Sequence, residues 1–265
     1  AGRTITTGVQ NTIFGSLAGD ALTDADYNVA IGMGALTADT LGSRSVAIGP
    51  FALESQNFTT ATDSHNVAVG NHAGLSVSTG INNVLVGSLA GDAITTGSSN
   101  VAIGKESLTT NVLGSKSVAV GQGSLSDQNP ATAVDMYNIA VGYNAGASVS
   151  TATENVLIGG LAGDALNTGG QNVAVGHAAL STEDGHGQNV AVGYLALNAQ
   201  NAGATAYNVA VGASAGAAVT SGIYNTLIGG LAGDALTDAD ENVAVGTGAL
   251  TTDTLGSKSV AVGRG

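Results

Sequence analysis

The chain has 265 residues, of which 41 are glycine, 2 are proline and 3% are aromatic, a composition unlike that of an ordinary globular core. Its apolar fraction of 43% is too high for a disordered linker, and its net charge of −13 disfavours nucleic acid and anionic membrane surfaces as partners. The lack of cysteine excludes disulfides and thiolate metal sites, and no apolar run approaches the ~20 residues that span a bilayer, so we expect no membrane insertion by this segment.

A five-residue motif dominates the chain: Asn or Ser, a β-branched residue, then Ala, Leu or Ile, a further apolar residue, and Gly. Fifteen copies occur, beginning at Asn11, Asn28, Ser45, Asn66, Asn83, Asn100, Ser117, Asn138, Asn155, Asn172, Asn189, Asn208, Asn225, Asn242 and Ser259. Eleven of the fourteen spacings are 17 residues, two are 21 and one is 19. We therefore expect residues 1–265 to be a single repeat array, an excerpt from a longer one, with residues 1–10 as a partial coil.

The motif also predicts the fold. Below, positions are counted from its first residue. The β-branched residues at positions 2 and 4 would lie on one face of a strand, and the invariant Gly at position 5 suits a sharp corner. About 17 residues is too short for a strand plus a helix. The sequence predicts an all-β protein, a parallel β-solenoid of about fifteen coils of 17 residues, where a coil is one turn of the solenoid.

Two kinds of coil place their large apolar side chain at different positions, which keeps the interior volume filled in each. One kind has Leu at position 9, at Leu36, Leu53, Leu108, Leu125, Leu180, Leu197 and Leu250. The other has Gly there and an apolar residue at position 12, at Leu22, Val77, Ile94, Val149, Leu166, Val219 and Leu236. We expect these side chains to fill the interior of the coils.

Position 3 is never polar, although it points away from positions 2 and 4, so the strand is predicted to be buried on both faces. We expect this third column to contact other copies of the chain, with homotrimerisation the preferred symmetry, although the sequence itself indicates only oligomerisation. The alternative is a flattened solenoid with an exposed Ala stripe. The predicted interface residues are Ile13, Ala30, Ala47, Ala68, Leu85, Ala102, Ala119, Ala140, Leu157, Ala174, Ala191, Ala210, Leu227, Ala244 and Ala261.

The motif resembles repeats of known fibrous proteins. Ser-Val-Ala-Ile-Gly at residues 45–49 resembles the head repeats of YadA-like trimeric autotransporter adhesins, and the longer Asn-Val-Ala-Ile-Gly-x-x-Ala-Leu pattern is similar to repeats of bacteriophage and other viral tail fibres. The resemblance covers essentially the whole chain, but the period is longer than is usual in the adhesins. It implies a left-handed β-roll, three chains side by side and an extracellular location, on a cell surface or a virion fibre.

Two surface features are candidates for recognition of a host-surface or matrix receptor, or of a glycan. Longer spacings predict loops near residues 55–64, 127–136 and 198–206, since insertions in solenoids emerge on one side. The residue before each motif predicts an outward column rich in tyrosine. Passive bulges and cover for strand edges are the alternatives. The candidates are Tyr27, Tyr137, Tyr207, Tyr224, Asn57, Phe58, Asn129 and Asn201.

Chemical sites are not predicted. The histidines, at positions 65, 72, 177 and 186, lack metal-ligand spacing, and the recurrent acids at positions 20, 92, 164 and 234 are four coils apart, or about 19 Å. We therefore expect no catalytic residue, cofactor or metal, and a protein that is not an enzyme. The predicted function is a structural segment of an extracellular trimeric fibre serving attachment; the alternative is a receptor- or glycan-binding head.

Overall fold

The computed structural model describes residues 1–265 and contains nineteen β-strands and no helix. Fifteen strands of three residues run parallel, one in each motif, and stack as a β-solenoid whose coils are about 17 residues long. The predicted fold class is confirmed, while the left-handed winding of the coils and the trimer stay predictions. The structure has no helix that is long and apolar enough to cross a membrane. Two compact units divide the chain, Ala1–Met136 and Tyr137–Gly265.

The first unit contains seven of the long strands and four short ones. Neighbouring long strands pair in register, so that Val29 lies opposite Val46 and Val46 opposite Val67. The short strands form two small parallel pairs, β3 with β5 and β9 with β11. The strands are β1 (Thr12–Phe14), β2 (Val29–Ile31), β3 (Gly42–Ser43), β4 (Val46–Ile48), β5 (Thr62–Asp63), β6 (Val67–Val69), β7 (Val84–Val86), β8 (Val101–Ile103), β9 (Gly114–Ser115), β10 (Val118–Val120) and β11 (Val134–Asp135).

The second unit contains the other eight long strands, which pair in sequence order. Each motif residue lies opposite its counterpart in the next coil, even across the 19-residue spacing, where Val190 pairs with Val209. The strands are β12 (Ile139–Val141), β13 (Val156–Ile158), β14 (Val173–Val175), β15 (Val190–Val192), β16 (Val209–Val211), β17 (Thr226–Ile228), β18 (Val243–Val245) and β19 (Val260–Val262).

The asparagine at position 1, present in twelve of the fifteen motifs, closes its coil and sets the register of the next. Nδ2 of Asn28 donates to the carbonyl oxygen of Gly42 in its own coil at 2.9 Å, and Oδ1 accepts from the backbone N–H of Ser45 in the following coil at 2.8 Å. The same pair of bonds recurs along both units, as at Asn100 and Asn155. These side chains are fully buried. One amide therefore satisfies two backbone groups that water cannot reach. We call this column the asparagine ladder.

The glycine at position 5 allows successive corners to stack closely. Gly104 has a φ of 137°, and a Cβ added there would lie 2.5 Å from the carbonyl carbon and oxygen of Gly121 in the next coil. Both the dihedral angle and the contact exclude any other residue.

The interior is filled by columns of small and large apolar side chains whose volumes compensate. The predicted core residues at positions 9 and 12 are fully buried, except that Leu250 is half-buried, which confirms the volume exchange. Position 3 takes part as well: Leu85 extends over Gly74 and Gly91, where an added Cβ would lie 2.7 Å from its methyl groups. Large residues at position 3 thus occupy room that Gly provides at position 9.

The ladder can be tested at Asn100. Replacing it with Ala would leave the N–H of Ser117 buried without a partner, while the carbonyl of Gly114 would keep its hydrogen bond from Asn111 Nδ2 at 2.9 Å. We expect Asn100→Ala to lower the free energy of unfolding by about 1–3 kcal/mol. Asn129→Ala, at an exposed asparagine, is the control and should change it by less than about 0.5 kcal/mol. Chemical denaturation measures both variants. If Asn100→Ala were as stable as the wild type, the ladder would not be what holds the coils together.

Candidate functional site

The predicted oligomer interface lies inside the coil, not on its surface, so that prediction is wrong. A side chain that is fully buried within its own chain cannot contact a second copy. Half-buried Ile13 and Ala261 belong to the first and last long strands. The other thirteen predicted interface residues have no exposed surface: Ala30, Ala47, Ala68, Leu85, Ala102, Ala119, Ala140, Leu157, Ala174, Ala191, Ala210, Leu227 and Ala244.

The reason is the volume available within each coil. Alternation along a strand requires only that position 3 face away from positions 2 and 4. The interior next to the strand already contains the buried Ala column at position 8 and the large residues at positions 9 and 12, so only Ala, or a Leu above a Gly, fits at position 3. The wider β-branched residues therefore point outward.

Outward-facing β-branched residues form an apolar surface that recurs in every coil of each unit. We call positions 2 and 4 of the long strands the β-branched stripe; it contains Val, Ile, two Thr and Phe14, and no ionisable residue. Its members are partly exposed, with Ile158 and Ile228 at 39% and 41%. Monomeric soluble proteins rarely expose contiguous apolar patches above a few hundred Å². The stripe is therefore a candidate interaction surface.

The predicted tyrosine column is on the surface. Tyr27, Tyr137, Tyr207 and Tyr224 are each about half exposed, at 49–52%. Tyr207 and Tyr224 stack with ring centroids 5.7 Å apart, and the guanidinium of Arg44 lies 4.9 Å from the ring centre of Tyr27. All four tyrosines have positive φ, and the N–H of Tyr224 donates to the carbonyl of Ala206 at 2.7 Å. The backbone conformation thus fixes the positions from which the four rings project.

The predicted loop residues divide into two groups. Asn57, Asn129 and Asn201 are exposed, as a recognition role requires. Phe58 is only 6% exposed, and its N–H donates to Oδ1 of buried Asp39 at 3.0 Å. Its prediction as a surface recognition residue is wrong, because the four extra residues of this coil fold its ring inward while the polar residues after it stay outside.

Polar residues occupy position 12 wherever position 9 is Leu, a feature that was not predicted from the sequence. Six of the seven are fully buried, and Asp253 is half-buried. Oδ1 of Asp39 accepts from the N–H groups of Gly42 and Phe58 at 3.0 Å each, and Oδ2 accepts from Nε2 of Gln56 at 2.6 Å. Gln56 also donates to Ser45 Oγ at 2.8 Å. Burial raises the pKa of Asp39 above its usual range, and these hydrogen bonds oppose the rise. The sequence does contain a signal for these residues: position 12 is polar in the coils with Leu at position 9 and apolar in the others.

The recurrent acids predicted to be too far apart for joint chemistry each interact with a neighbouring coil. Thr109 donates to Asp92 at 2.6 Å, and Arg3 pairs with Asp20 at 3.2 Å. Asp164 has a buried Oδ1 without a hydrogen-bond partner, and burial raises its pKa. Within a unit, members of this column remain four coils apart, which agrees with the prediction that they do not form a carboxylate pair.

One histidine does lie beside acids. His186 and Glu183 lie in the same segment of the second unit, with His186 Nδ1 3.4 Å from Glu183 Oε1, and Asp184 is next to them. Ligand atoms of the three residues are all within 4.8 Å of one another. Burial raises the pKa of Glu183, and the N–H groups of His186 and Ala202 oppose the rise. The spacing of the histidines relative to one another does not reveal this cluster, because its other two members are carboxylates.

Comparison with protein-family models, with curated proteins and with solved structures finds no significant match. The surfaces described above are therefore the basis for the functional argument.

The buried Asp39 predicts a pH dependence of stability. Because its folded-state pKa is raised above the usual 3.8, the folded protein holds the proton more tightly than the unfolded chain. Its contribution to stability is therefore lost as pH rises from below 3.8 through the raised pKa. Asp39→Asn, which copies Asn111 of an equivalent coil, should lose less stability than the wild type between about pH 4 and about pH 7. Urea unfolding at both pH values measures this, with Asp127→Asn as an exposed control; identical pH slopes for wild type and Asp39→Asn would contradict it.

Proposed function

We propose that this chain is a structural, non-enzymatic segment of an extracellular fibre that serves attachment, in which copies of the chain associate through the β-branched stripe. Three copies around a common axis is the proposed symmetry. The observation that carries the proposal is the stripe itself: an uncharged column of Val and Ile side chains that repeats in register from coil to coil and that the chain leaves partly exposed.

The area of the stripe favours a second copy as its partner. An outward Val or Ile that is about 40% exposed leaves roughly 40 Å² of apolar surface, since its complete burial corresponds to about 60–120 Å². Ten members of the stripe are exposed and provide roughly 400 Å², and the twenty half-buried members, at roughly half that exposure, provide about as much again. The total of roughly 800 Å² matches what each partner contributes to a standard interface. Copies of this chain would match one another's strand spacing along the whole stripe. The stripe itself contains no acidic residue, so the groups that give the net charge of −13 lie outside it.

The regular hydrogen bonding supports a mechanical role. Each coil is joined to the next by strand pairing, by the asparagine ladder and by backbone bonds at the corners, such as Gly104 N–H to the carbonyl of Val86 at 2.8 Å. Opening one coil would expose several buried polar groups at once. A fibre built in this way resists local unfolding and transmits force along its length.

Substitutions at neighbouring outward-facing and inward-facing residues of one strand provide a test of the interface. Val211 is 36% exposed and Ala210 is fully buried. We expect wild type to sediment as a trimer, and the double variant Ile158→Lys/Val211→Lys to be a folded monomer with the wild-type circular dichroism spectrum, because charges would lie in the interface. Ala210→Lys should instead lose the fold.

The control for this experiment is Ala204→Lys, on an exposed loop, which should remain trimeric. A monodisperse wild-type monomer in analytical ultracentrifugation would contradict the interface, as would a double lysine variant that keeps the wild-type oligomer.

Glycan binding is the second candidate function, and the stacked, half-exposed Tyr207 and Tyr224 favour it, since aromatic faces bind sugar rings. If it is correct, Tyr207→Ala/Tyr224→Ala should abolish binding on a glycan array and leave the oligomer intact. Tyr194→Ala, at an exposed tyrosine of another column, is the control. Absence of glycan binding by the wild-type protein would exclude this function.

A further inference from the structure

One corner of the coil is rebuilt at a single place in the chain. Three equivalent segments begin with Asp or Asn and have Gly at the fourth residue: 39–43, 111–115 and 253–257. In each, the side-chain oxygen of the first residue accepts from the N–H of that Gly, at 3.0, 3.0 and 2.8 Å. The fourth equivalent, at 183–187, is Glu-Asp-Gly-His-Gly. It keeps the hydrogen bond, from His186 N–H to Glu183 Oε1 at 3.1 Å, but adds an imidazole and a second carboxylate.

The Glu and the His depend on each other. In segment 39–43 a Cβ added to Gly42 would collide with the carboxylate of Asp39, so a side chain cannot be accommodated beside the shorter acid. In segment 183–187 the acid is the longer Glu and the fourth residue is His186. The combined change brings His186 Nδ1 beside the buried carboxylate.

The cluster has the donor set of a metal site. Its ligand atoms come from a fully buried Glu183, a half-buried His186 and an exposed Asp184, all within 4.8 Å of one another. In a tetrahedral zinc site, ligand atoms at ~2.0–2.2 Å from the ion are about 3.3–3.6 Å apart. The most distant pair in the cluster would therefore have to approach by about 1–1.5 Å, which the exposed Asp184 side chain can supply by rotation. An imidazole with two carboxylates suits divalent transition metals, and the exposed side leaves room for water ligands.

A second observation favours a cation as the ligand. His186 Nδ1 is closed off from solvent and makes no hydrogen bond, although it lies 3.4 Å from Glu183 Oε1. The hydrogen bonds to buried Glu183 are also long: 3.1 Å from His186 N–H, and 3.4 Å each from Gln200 Nε2 and Ala202 N–H. Asp39, in the equivalent position of the first unit, receives three bonds of 3.0 Å or less. One cation between them would give His186 Nδ1 a close partner and would add a strong metal–oxygen bond to the long hydrogen bonds of Glu183.

We propose that Glu183, Asp184 and His186 bind a divalent transition metal ion, with Zn²⁺ the best match, through Glu183 Oε1, an Asp184 carboxylate oxygen and His186 Nδ1. The ion would fix a segment that otherwise contains two glycines, at 185 and 187, and so would stiffen this corner of the second unit. This site is independent of the β-branched stripe.

Titration of the metal-free, full-length protein with ZnCl₂ in a calorimeter tests the site. We expect one Zn²⁺ per chain, and at least about tenfold weaker binding in His186→Ala and in Asp184→Asn. Asp184→Asn keeps the fold because that side chain is exposed. His177→Ala, at a histidine outside the cluster, is the control and should bind as the wild type does. Zinc should also shift the His186 imidazole nitrogen resonances in NMR spectra.

Two results would overturn the proposal. One is the absence of saturable Zn²⁺ binding by the wild type. The other is unchanged binding in both His186→Ala and Asp184→Asn, which would place the ion elsewhere. Tight binding of Ca²⁺ with the same affinity in wild type and His186→Ala would also contradict the assignment, because the site would then consist of carboxylates without the imidazole.

Discussion

The asparagine ladder is the constraint on which the rest of the structure depends. Each amide joins the end of its own coil to the beginning of the motif and passes the register on to the next coil, as Asn28 does between Gly42 and Ser45. Where Ser replaces Asn and cannot make both bonds, a buried Gln at position 12 approaches it: Gln56 at Ser45 and Gln128 at Ser117. With register fixed in this way, corner glycines, interior columns and the outward stripe each recur at the same place in every coil.

Most of the fold could be predicted because each rule is local and is repeated fifteen times. The 17-residue period, the β-branched pair and the corner Gly determine a stack of parallel strands, and the exchange between positions 9 and 12 indicates a filled interior. One local error cannot overturn such a pattern.

The orientation of the strand could not be predicted by the same rules. Alternation is symmetrical when both faces are apolar, so periodicity does not distinguish an inward Ala from an outward one. The decision depends on volume contributed by residues distant in sequence: Leu85 fits inside only because Gly74 and Gly91 leave space beside it. Phe58 is buried for a similar reason, since its position depends on hydrogen bonding to Asp39, which belongs to another coil.

This orientation changes what the surfaces imply about function. Because the Ala column is inside, each coil completes its own core, and the outward Val and Ile are not needed to fold a single chain. The stripe carries no ionisable residue, although one would cost the coil little, and this absence is what the proposed contact between copies accounts for. Segment 183–187 is a departure of another kind. Stacking favours the same residues at the same corner of equivalent coils, and this corner alone places an imidazole against a buried carboxylate. The departure is therefore the reason for assigning a separate role to this segment.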